Sequence, residues 1–173
     1  MKNLALTAGM VVLLSACSEP YDFEGRYFVA TGDECALEDN MKTENNVFLQ
    51  ITAQGKGENK TYAANIPVAA AWGLPASSNA TASPTENEEL NFTFSKDERV
   101  GWVSSSPGVD MSMKVIPHES RENHLWLTKW HTSVSQNGTV NQTSVLDKLA
   151  KGDPRYSNIP KITEKGACLI KQS

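Results

Sequence analysis

His124-Leu-Trp-Leu-Thr-Lys-Trp-His-Thr-Ser-Val134 is a long strand-like run, and Asn137-Gly138 follows it closely. Aromatic and β-branched residues recur along the run, and such residues favour extended backbone. Asn-Gly between Val134 and Val140 is the strongest two-residue turn signal in the chain, because both turn positions accept positive φ. This stretch therefore predicts a β-hairpin.

Alternation of apolar and polar residues predicts further short strands around this hairpin. The clearest is the segment 90–95, in which Leu90, Phe92 and Phe94 share one face. The other strand-like segments are Tyr27–Thr31, Val47–Ala53, Thr61–Ile66, Val100–Val103, Met111–Val115 and Ala167–Ile170.

The pattern as a whole predicts an all-β fold. About eight short strands joined mostly by tight turns favour an antiparallel meander, in the form of a barrel or a sandwich. One short helix is expected near 144–151, followed by Gly152 and Pro154, which end helices. The 173 residues suit a single β domain over 26–173. Within it, 73–89 is rich in Ala, Ser, Asn, Thr and Pro without a period, which predicts a flexible loop.

The N-terminus has the features of an export signal. Lys2 precedes an apolar stretch from Leu4 to Leu14, which is too short for a permanent membrane span, and Leu14-Ser-Ala-Cys17 follows. This run resembles the lipobox of bacterial lipoproteins. The resemblance covers residues 1–17 and implies that residues 1–16 are a signal peptide removed by a lipoprotein signal peptidase. It also implies that the Cys17 thiol carries a diacylglycerol. An ordinary secretory signal is the alternative, and it would also export the chain.

The same resemblance implies a location. Acyl chains such as palmitate would anchor the protein stably, and residues 17–25 would be the lipidated tether between bilayer and domain. Ser18 stands where an aspartate would retain enteric lipoproteins in the inner membrane. By that analogy we expect a lipid-anchored protein of the outer membrane that faces the periplasm, with display on the cell surface as the alternative.

The chain has three cysteines, an odd number. Once Cys17 carries lipid, Cys35 and Cys168 remain as a pair in an oxidising compartment, where a disulfide is expected. It would close nearly the whole mature chain, which the chain-entropy model values at roughly 5 kcal/mol. Two reactive or metal-binding thiols are the alternative, although no close Cys-x-x-Cys or Cys-x-x-His spacing supports it.

Composition and motifs argue against several functions. A net charge of −4 without a basic stripe makes nucleic acid a poor partner. No nucleophile elbow, phosphate-binding loop, dinucleotide-binding glycine pattern, zinc-binding helix or calcium loop occurs in the sequence. Their absence does not exclude an enzyme. We expect a non-enzymatic protein without a cofactor, with a hydrolase as an alternative. No metal site is expected either, because regular pleating would place His124 and His131 on opposite faces and His118 lies in a loop.

Tryptophan offers the most promising binding residues. Regular pleating would place Trp126 and Trp130 on one face together with His124, and Leu125 on the other face. An exposed face of this kind would suit a sugar, a peptide or a protein partner, whereas core packing is the plain alternative. Trp72 precedes the predicted flexible loop and is a further candidate anchor.

Three functions remain open from sequence. The first is an envelope lipoprotein whose β domain binds or assembles with a protein or an envelope polymer, without catalysis. The second is a carrier of a small apolar ligand; Gly25-x-Tyr27 faintly resembles the Gly-x-Trp opening of lipocalins. The third is a hydrolase or an inhibitor of one, such as a lysozyme inhibitor. The sequence does not predict an oligomeric state.

Overall fold

The computed structural model describes residues 20–30, 35–37, 40, 42–57, 60–67, 80–95, 108–136, 139–154 and 166–172. The predicted signal peptide, Cys17, Trp72 and the strand expected over 100–103 lie outside these residues. Within the part described, no helix is long and apolar enough to cross a membrane.

The described residues form nine strands and one α-helix, and a 3-10 turn spans Glu44–Asn46. The strands are β1 Gly25–Val29, β2 Leu49–Gln54, β3 Thr61–Asn65, β4 Ala80–Ala82, β5 Leu90–Ser95, β6 Gly108–Pro117, β7 His124–Gln136, β8 Thr139–Ser144 and β9 Ala167–Lys171. The helix, α1, spans Val145–Ala150. Every strand pair is antiparallel, so the predicted all-β class is confirmed.

The strands form one nearly closed, barrel-like sheet. Their order is β4-β3-β2-β1-β9-β7-β6-β5, and β8 pairs with β7 beside this path. β4 and β5, at the two ends of the path, lie in contact. The fold is therefore two meanders, β1–β4 and β5–β8, joined by the last strand, β9, which lies between β1 and β7.

Two local predictions are confirmed. β7 and β8 pair with Gln136 opposite Thr139, which is the register of a hairpin with a two-residue connection. α1 lies where the helix was expected, and the Ser144 hydroxyl accepts a hydrogen bond from the Asp147 backbone N–H at 3.2 Å. This contact satisfies one of the backbone donors that a helix leaves free at its first turn.

The predicted disulfide is present. Cys35, six residues beyond the end of β1, is bonded to Cys168 in β9, and their Cα atoms lie 5.5 Å apart. Next to the bond, the Ala30 N–H donates to the Cys168 carbonyl at 2.8 Å, which continues the pairing of β1 with β9. The first and last strands of the domain are thus joined by hydrogen bonds and by a covalent link.

Large side chains fill the barrel interior in the described part of the structure. Most strands contribute residues from their inner face, as the pleat requires, whereas β8 contributes none. The largest of these fully buried side chains are Phe23, Tyr27, Phe48, Leu49, Tyr62, Phe92, Phe94, Met111 and Trp130.

The sheet contains a β-bulge in β7. Lys129 pairs with Lys114 and Leu127 pairs with Val115, so that Thr128 has no partner residue on β6. One extra residue reverses the alternation of faces beyond it. Before Thr128 one set of alternate residues of β7 therefore faces the barrel interior, and after Thr128 the other set does.

Two sequence-based boundaries require correction. Phe23 is only 1% exposed and belongs to the core, so the ordered domain begins before residue 26, and the predicted tether 17–25 is too long. The predicted flexible loop 73–89 contains β4, which pairs with β3 through Ala82 opposite Tyr62. Residues 73–79 of that loop lie outside the described residues.

Candidate functional site

An open cleft of about 930 Å³ lies where the N-terminal segment meets the sheet. One wall is residues 20–23 of that segment. The others are the β2–β3 connection with the start of β3 (57 and 60–62) and the β4–β5 connection (83, 84 and 88). A cleft of this size is within the range of small-molecule and peptide sites in proteins.

The N-terminal wall of the cleft is held by the core. Phe23 is buried and packs edge-on against Tyr62, with ring centroids 5.4 Å apart. The Tyr27 hydroxyl donates to the Phe23 carbonyl at 2.8 Å. Burial, with smaller effects from Tyr21 and nearby groups, raises the pKa of Tyr27 far above its usual range, so it donates over the whole physiological pH range.

Tyr21 joins this wall to two other parts of the barrel. Its backbone N–H donates to Glu88 Oε1 at 3.1 Å, and its hydroxyl donates to the His124 carbonyl at 3.2 Å. Burial, and secondarily the charge of Asp22, raise the pKa of Tyr21 to about 12. The segment therefore contributes a fixed surface to the cleft, not a loose tail.

An ion pair spans the cleft. Lys60 Nζ lies 2.7 Å from Asp22 Oδ1, and the same ammonium lies 5.1 Å from the centroid of the Tyr62 ring. Burial alone would raise the pKa of Asp22, but hydrogen bonds from Lys60 and from the Glu24 backbone N–H hold it below its ordinary value. A carboxyl that ionises this readily is a poor general acid, because that role needs a raised pKa. The cleft presents charged, hydroxyl and aromatic groups suited to recognition.

The predicted tryptophan face does not form. Because of the bulge at Thr128, Trp130 lies inside the barrel, where its Nε1–H donates to Met111 Sδ at 3.1 Å. Trp126 lies on the opposite face. Their exposed fractions are 1% and 6%, so neither offers a surface to a partner. The prediction of a shared face was wrong, since it assumed regular pleating.

Trp126 belongs instead to a small cluster outside the barrel. It packs with Cys35 and Cys168, and the His118 ring stacks on its indole at a centroid distance of 5.0 Å. His124, which is half-buried, lies 6.0 Å from His118 between ring centroids. The Trp126 Nε1–H is buried and has no hydrogen-bond partner in the part of the chain described.

The cluster brings sulfur and imidazole together. A nitrogen of His118 and the sulfurs of Cys35 and Cys168 lie within 4.8 Å of one another. Thiolates are the form of cysteine that binds metals, and here both sulfurs are bonded to each other. The bulge also places His131 on the outer face together with His124, contrary to the prediction, because Ser112, opposite His131, alternates with the buried Met111 and Met113.

Sequence reasoning missed the cleft and its principal residues, which are Tyr21, Asp22, Lys60, Tyr62 and Glu88. One signal was available, because Tyr21 and Phe23 are spaced as alternate residues within the supposed tether. Two aromatic residues so close to the domain indicate a segment that packs.

Comparison with protein-family models, curated proteins and solved structures found no match.

Proposed function

We propose that this protein is a lipid-anchored component of the bacterial outer membrane. Its β domain, facing the periplasm, would bind a protein or an envelope polymer without catalysing a reaction. The observation that carries the binding half of the proposal is the cleft at the N-terminal segment. The anchoring half rests on the lipobox-like Leu-Ser-Ala-Cys17.

The two halves are linked by distance along the chain. Pro20 lines the cleft, and Cys17 lies three residues before it. Three residues span at most about 11 Å when extended. An acylated Cys17 would hold the cleft close to the bilayer surface, where it would meet partners that are themselves in or near the membrane.

The chemistry of the cleft supports recognition. Asp22 and Lys60 offer a charged pair, Thr61 and Ser83 offer hydroxyl groups, and Tyr21 adds a ring. Such groups bind extended peptides and sugars through hydrogen bonds and aromatic contact.

A carrier of an apolar ligand is less well supported. Such a carrier needs a cavity inside the barrel, and the interior of the described part holds large side chains such as Phe48, Phe92 and Trp130. An inhibitor of a hydrolase has one observation in its favour. Residues 139–142 of the β7–β8 hairpin are all exposed, which suits a projecting element that enters another protein's cleft.

Anchoring is tested by metabolic labelling with palmitate. We expect label on the wild type and none on Cys17→Ser, with the wild type in the outer-membrane fraction. Equal labelling of both would contradict lipidation at Cys17.

Binding is tested in intact cells with a photo-crosslinking residue at Thr61, on the cleft. The matched control carries the same residue at Thr93, an exposed threonine on β5. We expect one discrete adduct, or adducts with envelope polymer, from position 61 only, and loss of that adduct on adding Lys60→Glu. Identical adducts from both positions, or none from position 61, would overturn the cleft as the binding site.

A further inference from the structure

Within the described residues, strand β8 pairs with a neighbour along one edge only. All six of its residues pair with β7, from Thr139 opposite Gln136 to Ser144 opposite His131. On its other side no strand pairs with it within the described residues. Alternate backbone N–H and C=O groups of an edge strand point away from its neighbour and form a template for a further strand.

The arrangement of β7 explains why this edge is open. β6 pairs along one side of β7, while the other side is shared end to end by β9, over His124–Leu127, and β8, over His131–Gln136. β9 has β1 as its next neighbour. β8 continues the line of β9, and among the described residues β1 pairs with β2 and β9 but not with β8.

The solvent exposure of its residues shows that β8 also projects from the rest of the domain. Residues 139–142 are exposed at four consecutive positions, so both faces of this part of the strand meet solvent. Val140 is 65% exposed, the one large hydrophobic side chain with that exposure in the part described. An apolar side chain on an open edge adds contact area to strand pairing.

The edge lacks the features by which proteins usually protect such strands. Its sequence, Thr-Val-Asn-Gln-Thr-Ser, contains no lysine, no other charge and no proline. The chain as a whole carries a net charge of −4, so two copies repel each other over much of their surface. Along β8 there is no charge to oppose a second β8.

From this edge we propose that two copies of the protein associate through β8, with the strands antiparallel and related by a two-fold axis. The contact is isologous, which closes the assembly at two copies. It joins the two barrel sheets into one sheet across the dimer. It does not use the cleft, so its failure would leave the proposed function untouched.

The test is sedimentation of the purified full chain in detergent over a range of concentrations. We expect a reversible dimer for the wild type. Asn141→Lys and Asn141→Glu should each weaken it by about fivefold or more, because like charges then lie close together across the axis. An equimolar mixture of the two variants should restore dimers. Thr93→Lys, an equal change of charge on β5, should leave the dimer unchanged.

A wild type that stays monomeric would overturn the proposal. So would a dimer that resists both Asn141 variants, or one that Thr93→Lys weakens equally. Hydrogen exchange of the wild type supplies a readout without mutation. Alternate amides of 139–144 should gain protection as concentration rises, and unchanged exchange in β8 would contradict the pairing.

Discussion

Trp126 and Trp130 lie four residues apart in one strand, yet their indoles lie on opposite faces of the sheet. Thr128, the unpaired residue between them, is the cause. Trp130 packs in the barrel near Phe48, with ring centroids 5.4 Å apart, whereas Trp126 covers the disulfide from outside. Because of this one additional residue, a single strand contributes a tryptophan to each of two separate apolar clusters.

Deleting Thr128 should preserve this division. Without the extra residue, Leu127 still pairs with Val115 and Lys129 with Lys114, so Leu127 and Trp130 both stay inside the barrel on a strand that now alternates regularly. We expect a change of about 1 kcal/mol or less in the free energy of unfolding. Trp130→Ala empties the same part of the core and should cost about 3–5 kcal/mol. Urea denaturation measures both variants, and equal losses would contradict this account of the bulge.

Loss of the disulfide should destabilise the domain strongly. Cys35 and Cys168 are separated by 133 positions, so the bond restricts most of the unfolded chain. Cys35→Ser with Cys168→Ser should lower the free energy of unfolding by about 2–5 kcal/mol. Denaturation of the double variant under non-reducing conditions measures the effect. Mass spectrometry of the non-reduced wild type should recover the Cys35–Cys168 peptide pair, and free thiols at these positions in the native protein would contradict the bond.

Alkaline pH should reveal the contribution of Tyr27. Its folded-state pKa is raised, mainly by burial, so its stabilising effect is complete below the unfolded pKa of about 10 and declines as pH rises above that value. Tyr27→Phe should cost about 1 kcal/mol at neutral pH through the lost hydrogen bond to Phe23. Above pH ~10 the variant should lose less stability than the wild type. Parallel stability curves for the two proteins would contradict this role.

The Asp22–Lys60 pair predicts a small effect at acid pH. The folded-state pKa of Asp22 is lowered despite burial, so its contribution is present above the unfolded pKa and disappears as pH falls through the lowered value. Asp22→Asn should therefore lower the free energy of unfolding by less than about 1 kcal/mol at neutral pH, because both side chains of the pair are partly exposed. At a pH low enough to protonate the Asp22 carboxyl, the variant and the wild type should be equally stable. Denaturation at several pH values measures the difference. A deficit that persists unchanged at the lowest pH would contradict the ion pair as its source.

Local pattern was enough to predict the class of fold. Alternation identified Leu90, Phe92 and Phe94 as core residues, and the structure buries all three. The arrangement of strands was less accessible, because the position of β9 between β1 and β7 depends on pairing between distant segments. The bulge at Thr128 was not predictable, since Thr-Lys within a strand carries no mark of an extra residue.

The candidate site was missed for a related reason. Its walls come from residues 20–23, the β2–β3 connection and the β4–β5 connection, which are far apart in the chain. No short sequence motif indicates that these three segments lie together in the fold. The tryptophans were chosen as candidate binding residues because they are large. Large apolar side chains, however, are most often found in the core.

The position of β9 also determines when the barrel can form. β9, which ends at Lys171, pairs with one edge of β1 and with one edge of β7. Until β9 has been made, those two edges lack this partner strand. Synthesis proceeds from the N-terminus, so the two meanders emerge before the strand that unites them. A barrel that β9 completes stays open until that strand has been made. On the proposal that the protein is exported, the chain would reach an export channel with its barrel still open and would complete its fold on the far side.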